Sequence, residues 1–355
     1  MRRNARAIID LEALSHNYQR VKQFAPDSKV MAVIKADAYG HGMVQVAKTL
    51  SKLAVDGFAV ACLTEAKALR EAGIEESISI FQGFQDAQQL QQMSLLNLRP
   101  VIHQSWQVEL LSQLKSPLSI WLKLNSGMGR LGLSIDDIRQ HWGFLQQNIQ
   151  LSNIGLFSHF ANADQPEHDS NQQQIDRFKS LVQSLGVTET SMANSAGLMA
   201  FPEAQGDWVR PGIMLYGSSP FVDKTAQQLG LKPVMLLEAP LLAINQLKQG
   251  DSIGYGSLWQ CPQDMPVGVV GIGYGDGYPR HAGTGTPVWI NGCKTQVIGR
   301  VSMDMISIDL RNIDQVKPGD SVVLWGREVA VDEVAEHAQT ISYELLCHMS
   351  SSRIV

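Results

Sequence analysis

The 355-residue sequence has few cysteines, no long apolar run and no basic run. Its four cysteines, Cys62, Cys261, Cys293 and Cys347, lie far apart and form no CxxC pair, which argues against a zinc site and a disulfide framework. No stretch approaches the roughly 18 apolar residues of a membrane-spanning helix. The net charge of −5 argues against nucleic acid or an anionic membrane as a partner. The expected ligands are therefore small molecules.

The N-terminus lacks the apolar segment of a secretory signal, because Asp10 and Glu12 closely follow the basic start MRRNARAIID. We therefore expect a cytoplasmic protein with reduced cysteines. The length exceeds that of one simple core, which predicts one domain of about 200–250 residues and a smaller second one.

Short apolar runs alternate with segments of helical periodicity through the first 225 residues. Asp86 and Thr64 are the predicted N-caps of two helices, and Gly186 is predicted to end another. The alternation predicts a (β/α)8 TIM-type barrel, whose active site lies at the C-terminal ends of the strands. A doubly wound open sheet is the alternative. The eight predicted strands begin near Val30, Gly57, Ser77, Leu98, Leu118, Ile154, Thr188 and Trp208.

After residue 225, glycine-punctuated β runs replace the helical periodicity. Asn291-Gly292 between two apolar runs indicates a hairpin. The stretch VSMDMISIDL alternates through Met303 and Met305 and then shifts phase at Ile306, which predicts a strand with a bulge. We predict an α/β fold with a barrel domain at residues 11–225 and a mostly β C-terminal domain at 226–355, with a helical turn near residues 332–338. An opening strand at residues 6–10 could join either domain.

Lys35 stands at the end of the first predicted barrel strand, in KVMAVIKADAYGHG. A lysine in such a place either extends its amine to solvent or is a reactive amine. Polar residues also follow strands five to eight, and because strand ends share one face of a barrel they predict a single site. They are Lys123, Asn125, Arg130, His159, Asn194, Ser195, Arg210 and Gly212.

This set of side chains indicates an anionic cofactor. Hydroxyl and backbone N–H groups in barrel loops seven and eight often bind phosphate. An amine beside a phosphate site is what pyridoxal phosphate requires.

Eight motifs spread over both predicted domains carry a family resemblance. They are AVIKADAYGHG at 32–42, LKLNSGMGRLG at 122–132, GLFSHFANAD at 155–164, ANSAG at 193–197, VRPGIMLYG at 209–217, SIGYGS at 252–257, GIGYGDGYPR at 271–280 and GRVSMDM at 299–305. By these motifs the chain resembles the bacterial alanine racemases, which are barrel-fold pyridoxal 5'-phosphate enzymes, over nearly its whole length. The resemblance implies interconversion of L-alanine and D-alanine, for peptidoglycan synthesis or for alanine catabolism, and implies no metal.

The resemblance also implies two bases and a homodimer with shared active sites. Lys35 would hold the cofactor as an aldimine and take the proton from D-alanine. Tyr255 of the partner subunit would take the proton from L-alanine, with His159 beside it.

The remaining site residues are carried over in the same way. Tyr39, Ser195, Gly212, Ile213 and Tyr343 would bind the phosphate, with Asn194 beside them, and Arg210 would face the pyridine nitrogen. Arg130 would bind cofactor and substrate, Met303 and Asp304 of the partner subunit would lie near the substrate carboxylate, and Asp164, Tyr274 and Arg280 would line the entrance. Lys123 matches a lysine that is carbamylated in relatives.

Other functions stay open from the sequence. A racemase of broad range or serine preference shares these motifs. A barrel-fold decarboxylase is disfavoured because its C-terminal Cys/Asp motif is missing, and a non-catalytic pyridoxal phosphate-binding protein would have the barrel alone. Asn125-Ser126 also stands where many relatives have Asp-Thr, which removes a charge near Arg130.

Overall fold

The computed structural model describes residues 5–349 as a parallel β/α barrel followed by a mostly antiparallel β domain. The predicted fold class is confirmed. The barrel strands start within three residues of the predicted positions. After β1 (Arg6–Ile9) they are β2 (Lys29–Val33), β3 (Gly57–Val60), β4 (Ser77–Ile80), β5 (Leu98–Ile102), β6 (Leu118–Lys123), β7 (Leu151–Phe157), β8 (Thr190–Ser191) and β9 (Trp208–Val209).

The barrel closes between β8 and β9, the two edge strands of the parallel sheet. The strand order is β8-β7-β6-β5-β4-β3-β2-β9, and the backbone N–H of Arg210 donates to the carbonyl of Ala193 at 2.9 Å across the remaining gap. Ser191 Oγ also donates to the carbonyl of Trp208 at 2.8 Å. Because both edges of the sheet meet, the open doubly wound alternative is wrong.

Helices surround the strands. They are α1 (Leu11–Phe24), α2 (Lys35–Gly40), α3 (Met43–Lys52), α4 (Leu63–Glu71), α5 (Ala87–Leu95), α6 (Ser105–Leu110), α7 (Ile135–Gln147), α8 (Ser170–Leu185) and α9 (Ser195–Ala200). Asp86 caps α5 and left-handed Gly186 ends α8, as predicted. The predicted cap at Thr64 is wrong, because α4 begins one residue earlier, at Leu63, after an extended Cys62.

The N-terminal ends of the strands form the closed end of the barrel, where a buried charge is neutralised by an ion pair. Arg99 of β5 is 6% exposed and forms a 2.6 Å ion pair with Glu189, while its guanidinium lies 3.6 Å from the centre of the Trp121 ring. Glu189 also accepts a hydrogen bond from Trp208 Nε1. The ion pair and the further hydrogen bonds offset the desolvation cost of burying these two charges.

The C-terminal domain is an antiparallel sheet that β1 joins by pairing with β10. The Asn291-Gly292 hairpin and the helix near residue 332 are as predicted. Residues 301–305, by contrast, form a loop. The helices and strands of the C-terminal domain are β10 (Met235–Leu247), β11 (Ser252–Ile253), β12 (Trp259–Gln260), β13 (Met265–Val270), β14 (Pro287–Ile290), β15 (Cys293–Ile298), β16 (Ile306–Asp309), β17 (Ser321–Trp325), α10 (Val331–His337) and α11 (Ser342–Cys347).

The predicted bulged strand in VSMDMISIDL is therefore wrong before Ile306. The N–H of Ser302 donates to the carbonyl of Met305, and the N–H groups of Tyr274 and Gly275 donate to Ser302 and Met303. A turn satisfies these backbone groups in place of a ladder.

Within residues 5–349, no helix has the length and apolar character needed to cross a membrane.

Candidate active site

Lys35 opens α2, a turn with an uncommon backbone at the C-terminal mouth of the barrel. Four consecutive residues, Ala36 to Tyr39, have φ between 52° and 54°. Left-handed backbone costs a residue other than glycine roughly 1–2 kcal/mol, so this turn stores several kcal/mol of strain. Runs of strained backbone persist only where surrounding contacts enforce them, and they cluster at functional sites.

Three side chains hold this turn. The Glu65 carboxylate accepts from the N–H of Ala36 at 2.8 Å and from the N–H of Ala61 at 2.7 Å. Asp37 Oδ1 accepts from the N–H of Met43, and buried His41 donates from Nδ1 to the carbonyls of Ala38 and Tyr39. These bonds fix the direction in which the chain leaves β2, and with it the position of Lys35.

The Lys35 amine lies among other cations. Its pKa is lowered, first by burial and then by the positive charge of Arg130, while the groups of Cys347 and Glu65 act in the opposite direction. Nζ lies 6.0 Å from the centre of the Phe81 ring. A lowered pKa increases the fraction of neutral, nucleophilic amine at a given pH.

Arg210, directly after β9, is the most fully bonded cation of the mouth. It is 2% exposed; Nη1 donates to Ser191 Oγ, and Nη2 donates to the carbonyls of Ser158 and Met192. Its guanidinium lies 3.9 Å from the centre of the Phe157 ring. Burial lowers the pKa of Arg210 to about 9, so it is still protonated near pH 7.

His159 accepts a hydrogen bond from Arg210. Nη2 of Arg210 lies 3.1 Å from Nδ1 of His159. Arginine can only donate, so Nδ1 is the acceptor and the neutral imidazole carries its proton on Nε2. Burial, and then the charges of Arg210 and Lys123, hold the pKa of His159 well below its ordinary value. His159 is therefore a neutral donor through Nε2.

The predicted phosphate-binding residues lie together between α2 and the loops after β8 and β9. Ser195 Oγ accepts from the N–H of Gly212 at 2.8 Å. A Cβ on Gly212 would come within 2.6 Å of Tyr39 Oη, so the missing side chain lets the tyrosine hydroxyl lie against this backbone. The Tyr343 ring centre lies 6.0 Å from that of Tyr39. Buried Ile213 follows at the start of a 3-10 turn.

The two tyrosines among these predicted phosphate-binding residues, Tyr39 and Tyr343, keep their protons. We call the group of Tyr39, Ser195, Gly212, Ile213 and Tyr343 the cradle. Burial raises the pKa of Tyr39 and of Tyr343 far above the ordinary value, with nearby Asp164 contributing to the shift at Tyr343. Their hydroxyls are therefore available as donors. Asn194 caps α9 by accepting from the N–H of Gly197 at 2.8 Å, so its structural role is to orient the loop that carries Ser195.

Lys123 and Arg130 extend the cationic mouth. Burial, and then the charges of Arg210, Arg130 and Lys35, lower the pKa of the 7% exposed Lys123 to about 8. Asn125 Oδ1 accepts from the N–H groups of Gly127 and Gly129, which shapes the loop before exposed Arg130. Within residues 5–349, none of the ion pairs includes Lys35, Lys123, Arg130 or Arg210. These unneutralised cations suit a ligand with several negative charges.

The predicted site residues of the C-terminal domain lie on loops of their own. Tyr255 is 71% exposed, and within residues 5–349 no hydrogen bond joins it to Lys35, His159 or Arg210. Met303 is also exposed. Tyr274, Leu258 and Met305, on loops of the same domain, are also exposed large hydrophobic residues.

Two of the three predicted entrance residues lie in a cleft beside α11. Tyr274 and Arg280 line this cleft of about 490 Å³ together with Glu344 of α11 and His348, the residue after α11. The barrel-mouth residues thus form one group, and the residues of the C-terminal loops form another.

Sequence reasoning missed four residues of the barrel mouth. Phe157 and Phe81 are the aromatic rings beside the cations, Ser191 is a hydrogen-bond acceptor for Arg210, and Glu65 holds the Lys35 turn. Phe157 lies inside the GLFSHF motif, so its position beside His159 was the available signal. Glu65 carried no signal, because an acidic residue in the first turn of a helix is ordinary.

Two family models match the chain. The model of the alanine racemase N-terminal domain matches residues 9–220, and that of the alanine racemase C-terminal domain matches residues 234–354. The alanine racemase of Nitrosococcus oceani is 48% identical over 347 residues, which cover 97% of this chain and 96% of that relative.

Solved structures agree with this match. The biosynthetic alanine racemase of Pseudomonas aeruginosa superposes with a TM-score of 0.95 at 41% identity, covering 98% of each chain. The alanine racemase of Bartonella henselae, solved with covalently bound pyridoxal phosphate, superposes with a TM-score of 0.91 at 28% identity, covering 99% of each chain.

Proposed function

The chain belongs to the alanine racemase family, and we propose that it interconverts L-alanine and D-alanine with pyridoxal phosphate as cofactor. It is thus an isomerase acting on an amino acid. The observation that carries the proposal is the convergence of the Lys35 amine, the Arg210 guanidinium and the Ser195–Gly212 cradle at one barrel mouth. The cytoplasmic location predicted from the sequence agrees with this role.

The barrel-mouth residues fit pyridoxal phosphate at each of its ends. The Gly212 backbone, with Tyr39 Oη and Ser195 Oγ beside it, would hold the phosphate together with Ile213 and Tyr343. Lys35 would supply the amine that binds the aldehyde carbon. The bonds of Arg210 described above use one N–H of Nη1 and the N–H groups of Nη2, so its Nε–H and the second N–H of Nη1 are the donors left to face the pyridine nitrogen.

Arg210 determines how strongly the cofactor withdraws electrons. When bound, pyridoxal phosphate supplies a conjugated π system that spreads the negative charge left after a proton leaves the α-carbon. Arginine stays protonated near pH 7 and only donates, so it disfavours a second proton on the ring nitrogen. Electron withdrawal is then weaker than with a carboxylate partner, and well-placed proton donors become more important.

Lys35 serves one face of the α-carbon in this proposal. Its lowered pKa gives a larger neutral fraction, which can take the proton of D-alanine and return it in the reverse direction. General acid–base catalysis contributes roughly 10²- to 10⁴-fold in rate. This is less than most enzymes achieve, so the cofactor must supply much of the remainder.

The partner subunit's Tyr255 serves the other face. Within one chain, exposed Tyr255 makes no hydrogen bond to Lys35, which favours a site completed by a second copy. Leu258 and Met305, exposed on loops of the same domain, are apolar side chains of the kind that a dimer buries. Met303 and Asp304 of the partner subunit would enter the same site and contact the substrate carboxylate.

His159 makes a tyrosine usable as a base. A free tyrosine has a pKa of about 10, so its anion needs about 4 kcal/mol of stabilisation to be abundant at pH 7. The Nε2–H of His159 would donate to that anion, and Arg210 keeps the imidazole oriented through Nδ1. Charge-assisted hydrogen bonds are worth roughly 1.5–3 kcal/mol, so this donor supplies a substantial part.

Lys123 is chemically suited to carbamylation. A pKa of about 8 leaves part of its amine neutral near pH 7, and the neutral amine is the form that adds carbon dioxide. The product carries a negative charge in the middle of Arg130, Arg210 and Lys35. That charge would fix exposed Arg130 for binding the cofactor oxygen and the substrate carboxylate.

Substrate selection belongs to the entrance. Asp164, Tyr274 and Arg280 would narrow it, and a narrow passage favours the methyl side chain of alanine. Assays with L-serine beside L-alanine separate a strict alanine racemase from one of broader range.

A complementation assay tests the reaction and the shared site together. Lys35→Ala and Tyr255→Phe variants are each expected to be inactive. When the two variants are unfolded, mixed and refolded together, mixed dimers can form. A mixed dimer contains one intact site, so a random mixture should recover about one quarter of the wild-type rate of alanine racemisation. If each site lay within one chain, mixing would recover nothing.

A further inference from the structure

Glu65 is the charged side chain that binds the peptide group directly after Lys35. Its Oε1 accepts from the N–H of Ala36 and its Oε2 from the N–H of Ala61, the residue that follows β3. One carboxylate thus joins the departure points of two adjacent barrel strands. A hydrogen bond to an ionised carboxylate is stronger than one to a neutral acceptor.

The Ala36 peptide needs such a restraint. Ala36 is the first of four left-handed residues, and its Cβ disfavours that conformation. Downstream, the N–H of Ala38 donates to the carbonyl of Ile34, and the N–H of Gly42 donates to the carbonyl of Asp37. Glu65 acts upstream of these bonds, at the residue whose backbone orientation sets the direction of the Lys35 side chain.

The charge of Glu65 also faces the Lys35 amine. Arg130 acts on that amine in the opposite sense, and Cys347 acts in the same sense as Glu65. Glu65 is therefore close enough to influence Lys35, yet both of its oxygens are used by backbone N–H groups. Its contribution is to orientation, because a carboxylate held in this way is poorly placed to accept a proton from substrate.

We infer that Glu65 is a positioning residue: by holding Ala36 in the left-handed turn, it aims the Lys35 amine at the cofactor and the substrate α-carbon. This inference rests on the proposed function. Small displacements of a reacting group have large effects, since about 1 Å of misplacement can cost roughly 100-fold in rate.

Asp56, which binds the backbone of β2, provides a matched control. Its Oδ2 accepts from the N–H of Val30 at 2.8 Å, near the start of β2 and at the end opposite Lys35. Glu65→Ala and Asp56→Ala therefore each remove a carboxylate that holds the backbone at one end of β2. Glu65→Gln is the conservative variant, since an amide keeps one acceptor oxygen.

The experiment measures how fast Lys35 captures pyridoxal phosphate in apoprotein, apart from turnover. Apoprotein is mixed with the cofactor, samples are reduced with borohydride at successive times, and the modified Lys35 peptide is quantified by mass spectrometry. We expect capture to slow by about 10- to 100-fold in Glu65→Ala and by a smaller factor in Glu65→Gln. Asp56→Ala should capture the cofactor at the wild-type rate.

Turnover and unfolding complete the test. At saturating cofactor, kcat should fall in the Glu65 variants while KM for alanine changes little. Thermal unfolding of all variants shows what each costs in stability. If the Glu65 variants lose stability yet capture cofactor and turn over like Asp56→Ala, the inference is wrong and Glu65 is only structural.

Failure of the Glu65 role and failure of the proposed racemase function give different results. If Glu65→Ala does not fold, Glu65→Gln decides the question by the same capture rate. If wild-type apoprotein forms no Lys35 adduct and racemises no alanine, the proposed function fails before Glu65 is tested.

Discussion

At the scale of single residues, the two ends of the barrel differ in whether their buried charges have an ion-pair partner. At the closed end, Arg99 is paired with Glu189. At the open end, Lys123 and Arg210 are buried and lack an ion-pair partner within residues 5–349. Buried unpaired charge is expensive, and its retention at one end is typical of a site for an anionic ligand.

Lys123 makes protein stability depend on pH. Its pKa is about 8 in the folded chain against an ordinary value of 10.5, so between these values the unfolded chain binds more protons. The free energy of unfolding therefore rises with pH across that window, by about 3 kcal/mol for this group. We expect Lys123→Met to be more stable than wild type at pH 7 in CO2-free buffer, and the difference to shrink towards pH 10.

Denaturant unfolding at a series of pH values measures this difference. Exposed Lys115→Met is the control and should show no such trend. Adding bicarbonate should stabilise wild type but not Lys123→Met if the amine is carbamylated. An equal pH trend in both variants would contradict the assignment.

His159 should act on kcat. L- and D-alanine have equal free energies, so kcat/KM is the same in both directions and cannot report on one base alone. Loss of a hydrogen bond to an ionised oxygen predicts that His159→Ala lowers kcat from L-alanine by about 10- to 100-fold. The pH at which that kcat rises should also move upward. A pH profile of kcat identical to wild type, or an equal loss in exposed His168→Ala, would refute the role.

At the scale of elements, α11 of the C-terminal domain packs directly on the Lys35 turn. A Cβ on Gly40 would lie 2.1 Å from the carbonyl oxygen of Leu346, and Gly40 has φ +78°. The same helix carries Tyr343, and its first residue, Ser342, bonds to buried Ser218 of the barrel domain at 2.6 Å. The proposed phosphate-binding residues therefore come from both domains.

Gly40→Ala should consequently damage both stability and cofactor binding. It combines a left-handed strain of about 1 kcal/mol with a backbone clash, and we expect a total loss above about 2 kcal/mol. Gly73 has φ +84° with nothing near its Cβ position, so Gly73→Ala isolates the strain. Denaturant unfolding and equilibrium binding of pyridoxal phosphate measure both effects. Equal losses in the two variants would show that the contact with α11 is unimportant.

At the scale of the whole molecule, the exposed apolar residues of the C-terminal loops require a covering surface. Tyr255 is 71% exposed, Leu258 is 63% exposed and Met305 is 44% exposed. Patches of this kind in a folded protein commonly mark an interface.

Met305→Asp should weaken the proposed dimer. A charge in the core of an interface is costly, so we expect the dissociation constant of the dimer to rise by at least about tenfold. Activity should then fall on dilution. Sedimentation velocity at several concentrations measures it. Ile149 is 91% exposed on the barrel, so Ile149→Asp is the control. A concentration-independent mass in Met305→Asp equal to that of wild type would contradict this interface.

The sequence by itself determined the order of the elements and the face that carries the site. Hydrophobic periodicity and turn residues are local signals, so the barrel strands and the Asn291-Gly292 hairpin could be read directly. Lys35 and Arg210 could be placed at one mouth because strand ends of a barrel share one face.

Only the tertiary structure decided the features that depend on distant contacts. The left-handed turn after Lys35 exists because Glu65 and the backbone of Leu346 constrain it, and neither is its neighbour in sequence. The neutral state of His159 follows from burial beside Arg210, 51 residues away. The alternation before Ile306 resembled a strand, but bonds to Tyr274 and Gly275 formed a loop instead. Backbone strain and protonation are set by the whole environment of a group, which no local pattern contains.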